Sequence, residues 1–229
     1  MTEPADPEDS GAGPTEWRSG IGEPVGVGPW LDERGAPLPD DPRYDPELLA
    51  DGDRRNVVDA YRYWTREAIV ADLDPRRHRL HVAIENWGHD ANIGTVVRTA
   101  NAFLAGGVHI VGRRRWNRRG AMVTDRYQHI HHHASVAELA EWAREHGLVM
   151  VAVDNTPGSV RLEETELPEN CLLLFGQEGP GVTVEASAAA ALTVSIAQFG
   201  STRSINAGVA AGIVMHRWIS RHADLDEAW

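Results

Sequence analysis

Lysine is absent from the 229 residues, and cysteine occurs once, as Cys171. All 22 basic residues are therefore arginine, and the phosphate-cradling loop Gly-x-x-x-x-Gly-Lys is excluded outright. A single cysteine inside the apolar run CLLLF rules out a disulfide framework and points to a reducing interior. No apolar run approaches the roughly 20 residues that a membrane helix needs. The stretch MTEPADPEDS lacks the basic and apolar regions of a signal peptide. These absences predict a cytoplasmic protein with no part in a membrane. The dinucleotide fingerprint G-x-G-x-x-G is missing after the first predicted strand, and no G-x-S-x-G elbow occurs, which removes the commonest cofactor readings.

What is present is unevenly spread. A net charge of −12 argues against nucleic acid, because phosphate contacts need cations. Yet 14 of the 34 acidic residues fall in residues 1–53, against Arg18, Arg34 and Arg43, while the other 20 face 19 arginines. The acidic surplus thus belongs to the first 53 residues. Arginine grips phosphate with two parallel hydrogen bonds and stacks on bases. In RRRWNRR, Arg113, Arg114, Arg115, Arg118 and Arg119 surround Trp116 and Asn117. That cluster reads equally as an RNA-binding surface with a stacking ring and as a solvated loop.

Nine of the 13 prolines lie in the first 50 residues, with no sustained apolar period. Residues 1–53 therefore read as an acidic arm, disordered or loosely docked, with Trp17 or Trp30 as its anchor. Val57, Tyr61, Trp64 and Ala68 fall at helical spacing, so residues 54–79 are expected to form a leading amphipathic helix and a linker. From residue 80 to 229 short apolar strands alternate with helices. Strands are predicted at LHVAIEN, GVHIVG, LVMVAVD, CLLLFG and ALTVSIA, and helices at ANIGTVVRTANAFLA, SVAELAEWAREHG and TVEASAAAA. Ser135 with Glu138 forms a capping box for the second helix. A long helix from about Ser204 to His222 closes the series. The pattern predicts an α/β fold, a mostly parallel sheet with flanking helices.

Ligands of such sheets gather beyond the carboxyl ends of the strands. There the chain places NWGHDANIG, DNTPG, GQEGPG and AQFGSTRSIN. Gly176, Gly179 and Gly181 are each readable as turn punctuation or as room for a ligand against the backbone. Asp154 and Asn155 are pocket residues or a turn before Pro157 and Gly158. Taken together, HDANIGTVVRTANAFLAGGVHIVG, LLLFGQEGPGV and VSIAQFGSTRSINAGVAAGI resemble the three motifs of the SpoU (TrmH-type) branch of the SPOUT superfamily, RNA 2′-O-ribose methyltransferases. Asn92 and Arg98 match the first motif, Gly176, Glu178 and Gly179 the second, and Ser204, Ile205 and Asn206 the third. The similarity spans about Leu80 to Trp218. Ala197, Gln198 and Gly208 depart from the family pattern, which usually has proline, methionine and a small polar residue there.

The resemblance implies a C-terminal trefoil knot, a homodimer with the site at the subunit interface, S-adenosylmethionine as cofactor, and tRNA or rRNA as substrate. It implies cofactor contacts through the backbone at Gly176, Ile196 and Ile205, with Gly179, Asp154 and Asn155 in the same pocket. Arg98 is placed at the reacting hydroxyl, and Asn92 orients it or caps its helix. Glu178, Ser204 and Asn206 make a polar frame. Because a guanidinium hardly gives up its proton, a phosphate grip and stabilisation of the developing alkoxide suit Arg98 better than a general base does. His129, His131, His132 and His133 lack a carboxylate or cysteine partner in sequence, so no metal is expected. The alternatives are a base methyltransferase of the same fold and an RNA-binding protein without turnover.

Overall fold

Asp53 organises the first of the two compact units into which the chain divides, Met1–Thr65 and Arg66–Trp229. The computed structural model describes residues 18–19, 23–24, 26–88, 92–177 and 179–227. In the first unit two short strands, β1 (Arg18–Ser19) and β2 (Glu23–Pro24), pair antiparallel, and helices α1 (Trp30–Arg34) and α2 (Pro46–Asp51) follow. Asp45 caps α2 by accepting from the Glu47 amide at 2.9 Å, with Pro46 at the first helical position. The Asp53 carboxylate is fully buried and accepts from the Arg55 amide, Nε and Nη2 and from the Tyr63 amide, at 2.7–2.9 Å. Burial alone would raise its pKa, but these bonds outweigh burial and hold the carboxyl below the usual range.

The helix expected from Val57 gives way to this arrangement. The chain from Asp53 to Trp64 wraps around the carboxylate, Tyr63 takes φ 63°, and only the three-residue turn Asp59–Tyr61 is helical. Apolar spacing was outweighed by a buried charge that needed four donors. The leading helix, α3, spans Arg66–Leu73 instead. Trp30 packs edge-on against Tyr44 and Tyr63, with ring centroids 5.6 and 5.4 Å apart. Trp17 lies outside the described residues.

The second unit continues with β3 (His78–Asn86), α4 (Asn92–Ala102), β4 (Ala105–Gly112), β5 (Ile130–His133), α5 (Val136–Glu145), β6 (Val149–Val153), β7 (Val160–Arg161), β8 (Cys171–Phe175), α6 (Val184–Ala189), β9 (Leu192–Ser195) and α7 (Ala207–His222). Seven strands form one sheet in the order β5-β4-β3-β8-β6-β9-β7, and every pairing is parallel. Helices cover both faces, which is why the central strands read as nearly continuous apolar runs. Leu80, Val82, Ile84, Leu173 and Phe175 cluster with Val96 and Val97 of α4 and with Val214, Met215 and Trp218 of α7. Ala83, Leu172 and Leu174 point to the opposite face, where Val136, Leu139 and Ala143 of α5 pack. Burying each large side chain of this kind contributes roughly 1.5–3 kcal/mol.

The histidine run makes edge strand β5, and it is half-buried, not an open surface. His131 and His133 share the α5 face, where both stack on His109 beside Trp142. His132 points the other way, its Nε2 2.7 Å from the Gly112 carbonyl oxygen, and His129 meets Asp74 at 2.8 Å. Among the described residues no helix is long and apolar enough to cross a membrane.

Candidate active site

Beyond the carboxyl ends of β6, β8 and β9 lies a cleft of about 660 Å³. It gathers Asp154, Asn155, Gly176, Gly179, Ile196 and Ile205, together with Ser204 and Asn206, residues up to 52 positions apart in the chain. The glycines shape it. A Cβ on Gly176 would lie 2.0 Å from the Gly181 carbonyl carbon, so the loop 176–181 doubles back on itself only because that position carries no side chain. Gln177 and Gly181 exchange backbone hydrogen bonds at 3.0 and 3.1 Å to close the turn. Gly179, at φ 98°, has open space where a side chain would stand. Glu178 lies outside the described residues.

Asp154 and Asn155 brace the two loops that face each other across the cleft. Asp154 accepts from the Val182 amide at 2.8 Å and from the Asn155 amide at 2.7 Å. The Asn155 amide group donates to the Arg203 carbonyl in a short hydrogen bond. Thus the turn after β6 fixes both the glycine loop after β8 and the Ser204–Asn206 bend after β9. Glu163 adds a further tie by accepting from the Ala197 amide at 3.1 Å.

Asn206 joins the cleft to the first motif. Its Oδ1 accepts from the Gly208 and Val209 amides at 2.9 and 3.2 Å, capping α7. Its Nδ2 donates to Asn92 Oδ1 at 2.9 Å, at the first residue of α4. Gly208 permits the approach, since a Cβ there would lie 3.1 Å from Thr95 of α4. Arg98 lies outside the cleft lining, exposed on α4, about 9 Å along the helix from Asn92. No carboxylate among the described residues pairs with it.

The arginine cluster follows β4 on the same edge. Asn86, almost fully buried at the end of β3, donates to the carbonyls of Arg113 and Arg115 at 2.6 and 3.1 Å. The helical turn Arg118–Ala121 rests against α4 backbone to backbone, because Gly94 would place a Cβ 2.7 Å from the Ala121 amide. All five arginines are exposed. Among the described residues only Arg118 has a carboxylate partner, Asp125 at 3.3 Å. Trp116 is half-buried against the core, with the Arg118 guanidinium 5.6 Å over its ring. Among the described residues no group of three or more His, Cys, Asp or Glu is arranged to hold a metal ion.

Residues 79–216 match the family model of the SpoU rRNA Methylase family, well over half of the chain. The chain belongs to this family. Among SpoU-type relatives it is 26% identical to the tRNA (guanosine(18)-2′-O)-methyltransferase of Escherichia coli, over 66% of this chain and 68% of that protein. It resembles the AdoMet-bound rRNA methyltransferase of Sinorhizobium meliloti with a TM-score of 0.58 and 26% identity, over 68% of this chain and 61% of that one. The SpoU methyltransferase AviRb of Streptomyces viridochromogenes, in complex with AdoMet, gives 0.57 and 25%, over 66% and 60%. The chain spans about three-fifths of the length of these two solved proteins. The all-parallel sheet is thus the SpoU fold.

Three residues that line the SpoU cleft were assigned no role from the sequence. Gln177 and Gln198 line it, as does Arg203. Gln177 and Arg203 sit inside the second and third motifs, so their positions alone would have flagged them. Gln198 was visible only as a departure from the family pattern, yet its Oε1 is buried without a hydrogen-bond partner among the described residues.

Proposed function

We propose that this SpoU protein transfers the methyl group of S-adenosylmethionine to a ribose 2′-hydroxyl of tRNA or rRNA. The observation that carries this reading is the convergence of the glycine loop, the Asp154–Asn155 turn and the Ser204–Asn206 bend on one cleft. Its volume lies within the range of about 300–1,000 Å³ typical of small-molecule sites. The site also holds an acceptor unpaired among the described residues, Gln198 Oε1, and leaving such an atom buried costs about 1–3 kcal/mol unless a donor meets it. An amino or hydroxyl group of a nucleoside supplies that donor. The residues present therefore fit the cofactor, with Ile196, Ile205 and the 176–181 loop presenting main-chain groups to it.

When bound, S-adenosylmethionine supplies an electrophilic methyl on a sulfonium. The protein's share is alignment and charge. Holding the hydroxyl in register can contribute about 7–11 kcal/mol. Arg98, unpaired among the described residues, grips the substrate phosphate and stabilises the alkoxide as its proton leaves to a phosphate oxygen or to water. The Asn92–Asn206 pair ties α4, the helix that carries Arg98, to the bend at the cleft. Ser204, Asn206 and Glu178 frame the ribose. The exposed arginines at 113–115 and 118–119 carry the rest of the RNA.

A homodimer fits the exposed apolar side chains of Phe199, Val209 and Ile213, which stand within the third motif on either side of Ser204–Asn206; sedimentation velocity tests it. Threading of the chain after β8 into a trefoil knot and a cytoplasmic location belong to the same reading. The deciding experiment incubates the protein with methyl-labelled cofactor and total RNA, followed by alkaline hydrolysis. A methylated ribose blocks cleavage, so label is expected in alkali-stable dinucleotides. Label in mononucleotides makes the enzyme a base methyltransferase, and cofactor binding without transfer makes it an RNA-binding protein. In Arg98→Lys, turnover is expected to fall at least about tenfold, because a point charge replaces the planar fork. Retention of most turnover would mean that charge alone suffices.

A further inference from the structure

Trp87 is the second residue after Glu85 at the carboxyl end of β3, and its surroundings are more elaborate than a surface loop requires. Its indole N–H donates to Glu85 Oε1 at 2.9 Å. Glu85 is fully buried and is held in turn by the Thr183 amide at 2.8 Å and the Thr183 hydroxyl at 2.7 Å. The ring lies over Gly112, where a Cβ would come within 2.7 Å of the indole and where φ is 100°. The Gly112 carbonyl is fixed by His132. The backbone amides of Trp87 and Gly88 both donate to Gln177 Oε1, at 3.1 and 2.6 Å. Four strand ends therefore combine to immobilise one indole whose exposure is still 37%.

The polar atom of this indole is satisfied inside the protein, so what it offers to solvent is apolar ring. The arginine loop starts beside it, since Arg113 follows Gly112 directly, its amide donates to the Asn86 carbonyl at 2.8 Å, and the Asn86 side chain holds the carbonyls of Arg113 and Arg115. An open aromatic face next to a loop of exposed arginines suits an unpaired nucleobase, which stacks on the ring while its phosphates meet the guanidinium groups. Trp116 is the weaker candidate, because it packs into the core and Arg118 already lies over its ring.

We propose that Trp87 is the stacking platform for an unpaired base of the RNA substrate, held in place by Glu85, Gly112 and Gln177. Because Gln177 also lines the cleft, the platform is tied to the cofactor loop and acts as a positioning residue for the target strand. This rests on the RNA methyltransferase reading.

The test compares wild type, Trp87→Phe and Trp87→Leu for apparent affinity towards total tRNA and total rRNA by filter binding, with cofactor affinity by calorimetry as a second axis. Leucine is expected to weaken RNA binding about tenfold, phenylalanine no more than about threefold, and cofactor affinity is expected to stay level. Equal RNA affinity of Trp87→Leu and wild type overturns the proposal. So does a parallel loss of RNA and cofactor affinity in which phenylalanine rescues neither, since the tryptophan is then a plug in the sheet edge. Independently of any variant, photocrosslinking of wild type to 4-thiouridine-substituted RNA is expected to yield a peptide joined at Trp87. Crosslinks confined to 113–119 count against it. Wild type that neither binds RNA nor transfers methyl groups removes the parent reading itself, a result distinct from all of these.

Discussion

Beyond β6, β8 and β9 the sheet edge is framed by main chain, whereas beyond β3 and β4 it is framed by side chains. The first half is glycine turns braced by Asp154 and Asn155, and most of its polar side chains are spent on holding loops. The second half is five exposed arginines and two tryptophans set on a buried asparagine and a buried glutamate. A frame of backbone is sensitive to added volume and indifferent to charge. A frame of long cationic side chains has the opposite sensitivities, and salt reaches it first.

The largest effect is expected where volume is added to the backbone half. Gly176→Ala puts a methyl group 2.0 Å from the Gly181 carbonyl carbon. The loop must then open, and cofactor affinity is expected to fall roughly 100-fold, within the range that overpacking costs. Calorimetry reads it, and a dissociation constant within threefold of wild type would show that the turn has slack. A smaller effect is expected from removing charge in the other half. Replacing Arg113, Arg114 and Arg115 by serine should lower RNA affinity about tenfold at low salt and flatten the dependence of log K on log salt by about 2. Cofactor affinity should not move. An unchanged salt slope takes these arginines off the RNA.

The smallest effect at neutral pH concerns the wall behind the arginine half. His81 Nδ1 meets His109 Nε2 at 3.0 Å, and His109 Nδ1 meets His133 Nε2 at 2.9 Å. His131 and Trp142 pack on the same chain of rings. Burial, with repulsion from neighbouring histidines, lowers His81 from 6.5 to about 4 and lowers His109, His131 and His133 as well, while Glu138 opposes the shift at His133. The unfolded chain therefore takes up protons that the folded chain refuses. Stability is full above pH 6.5 and declines as the pH falls towards 4, the window that the lowered His81 sets. The melting temperature should drop by several degrees between pH 7 and pH 5, and less in His109→Leu. A flat profile in wild type would mean that these imidazoles take up protons without cost.

Legibility in the sequence followed the range of the interactions. Central strands such as CLLLF were readable because both of their faces are buried, and α7 because Asn206 precedes a long apolar period. Strand β7 was not, since Val160 and Arg161 are both exposed and only two residues long. The Val57–Trp64 spacing misled because it says nothing of Asp53, whose four donors pull that segment out of a helix. The capped start of α2 at Asp45–Pro46 was legible in principle but was submerged in proline-rich surroundings. At the site, motif order located the cleft. Contacts between residues about 90 apart in sequence, Trp87 with Gln177 and Glu85 with Thr183, leave no local trace.

One hydrogen bond, from Asn206 to Asn92, spans 114 positions of sequence. During synthesis the crossover helix and its strand emerge long before the segment that completes them. A nascent chain therefore carries its arginines before the loops and helix that complete the cleft have been made. The pair between the first and third motifs closes only once Asn206 and α7 are in the chain.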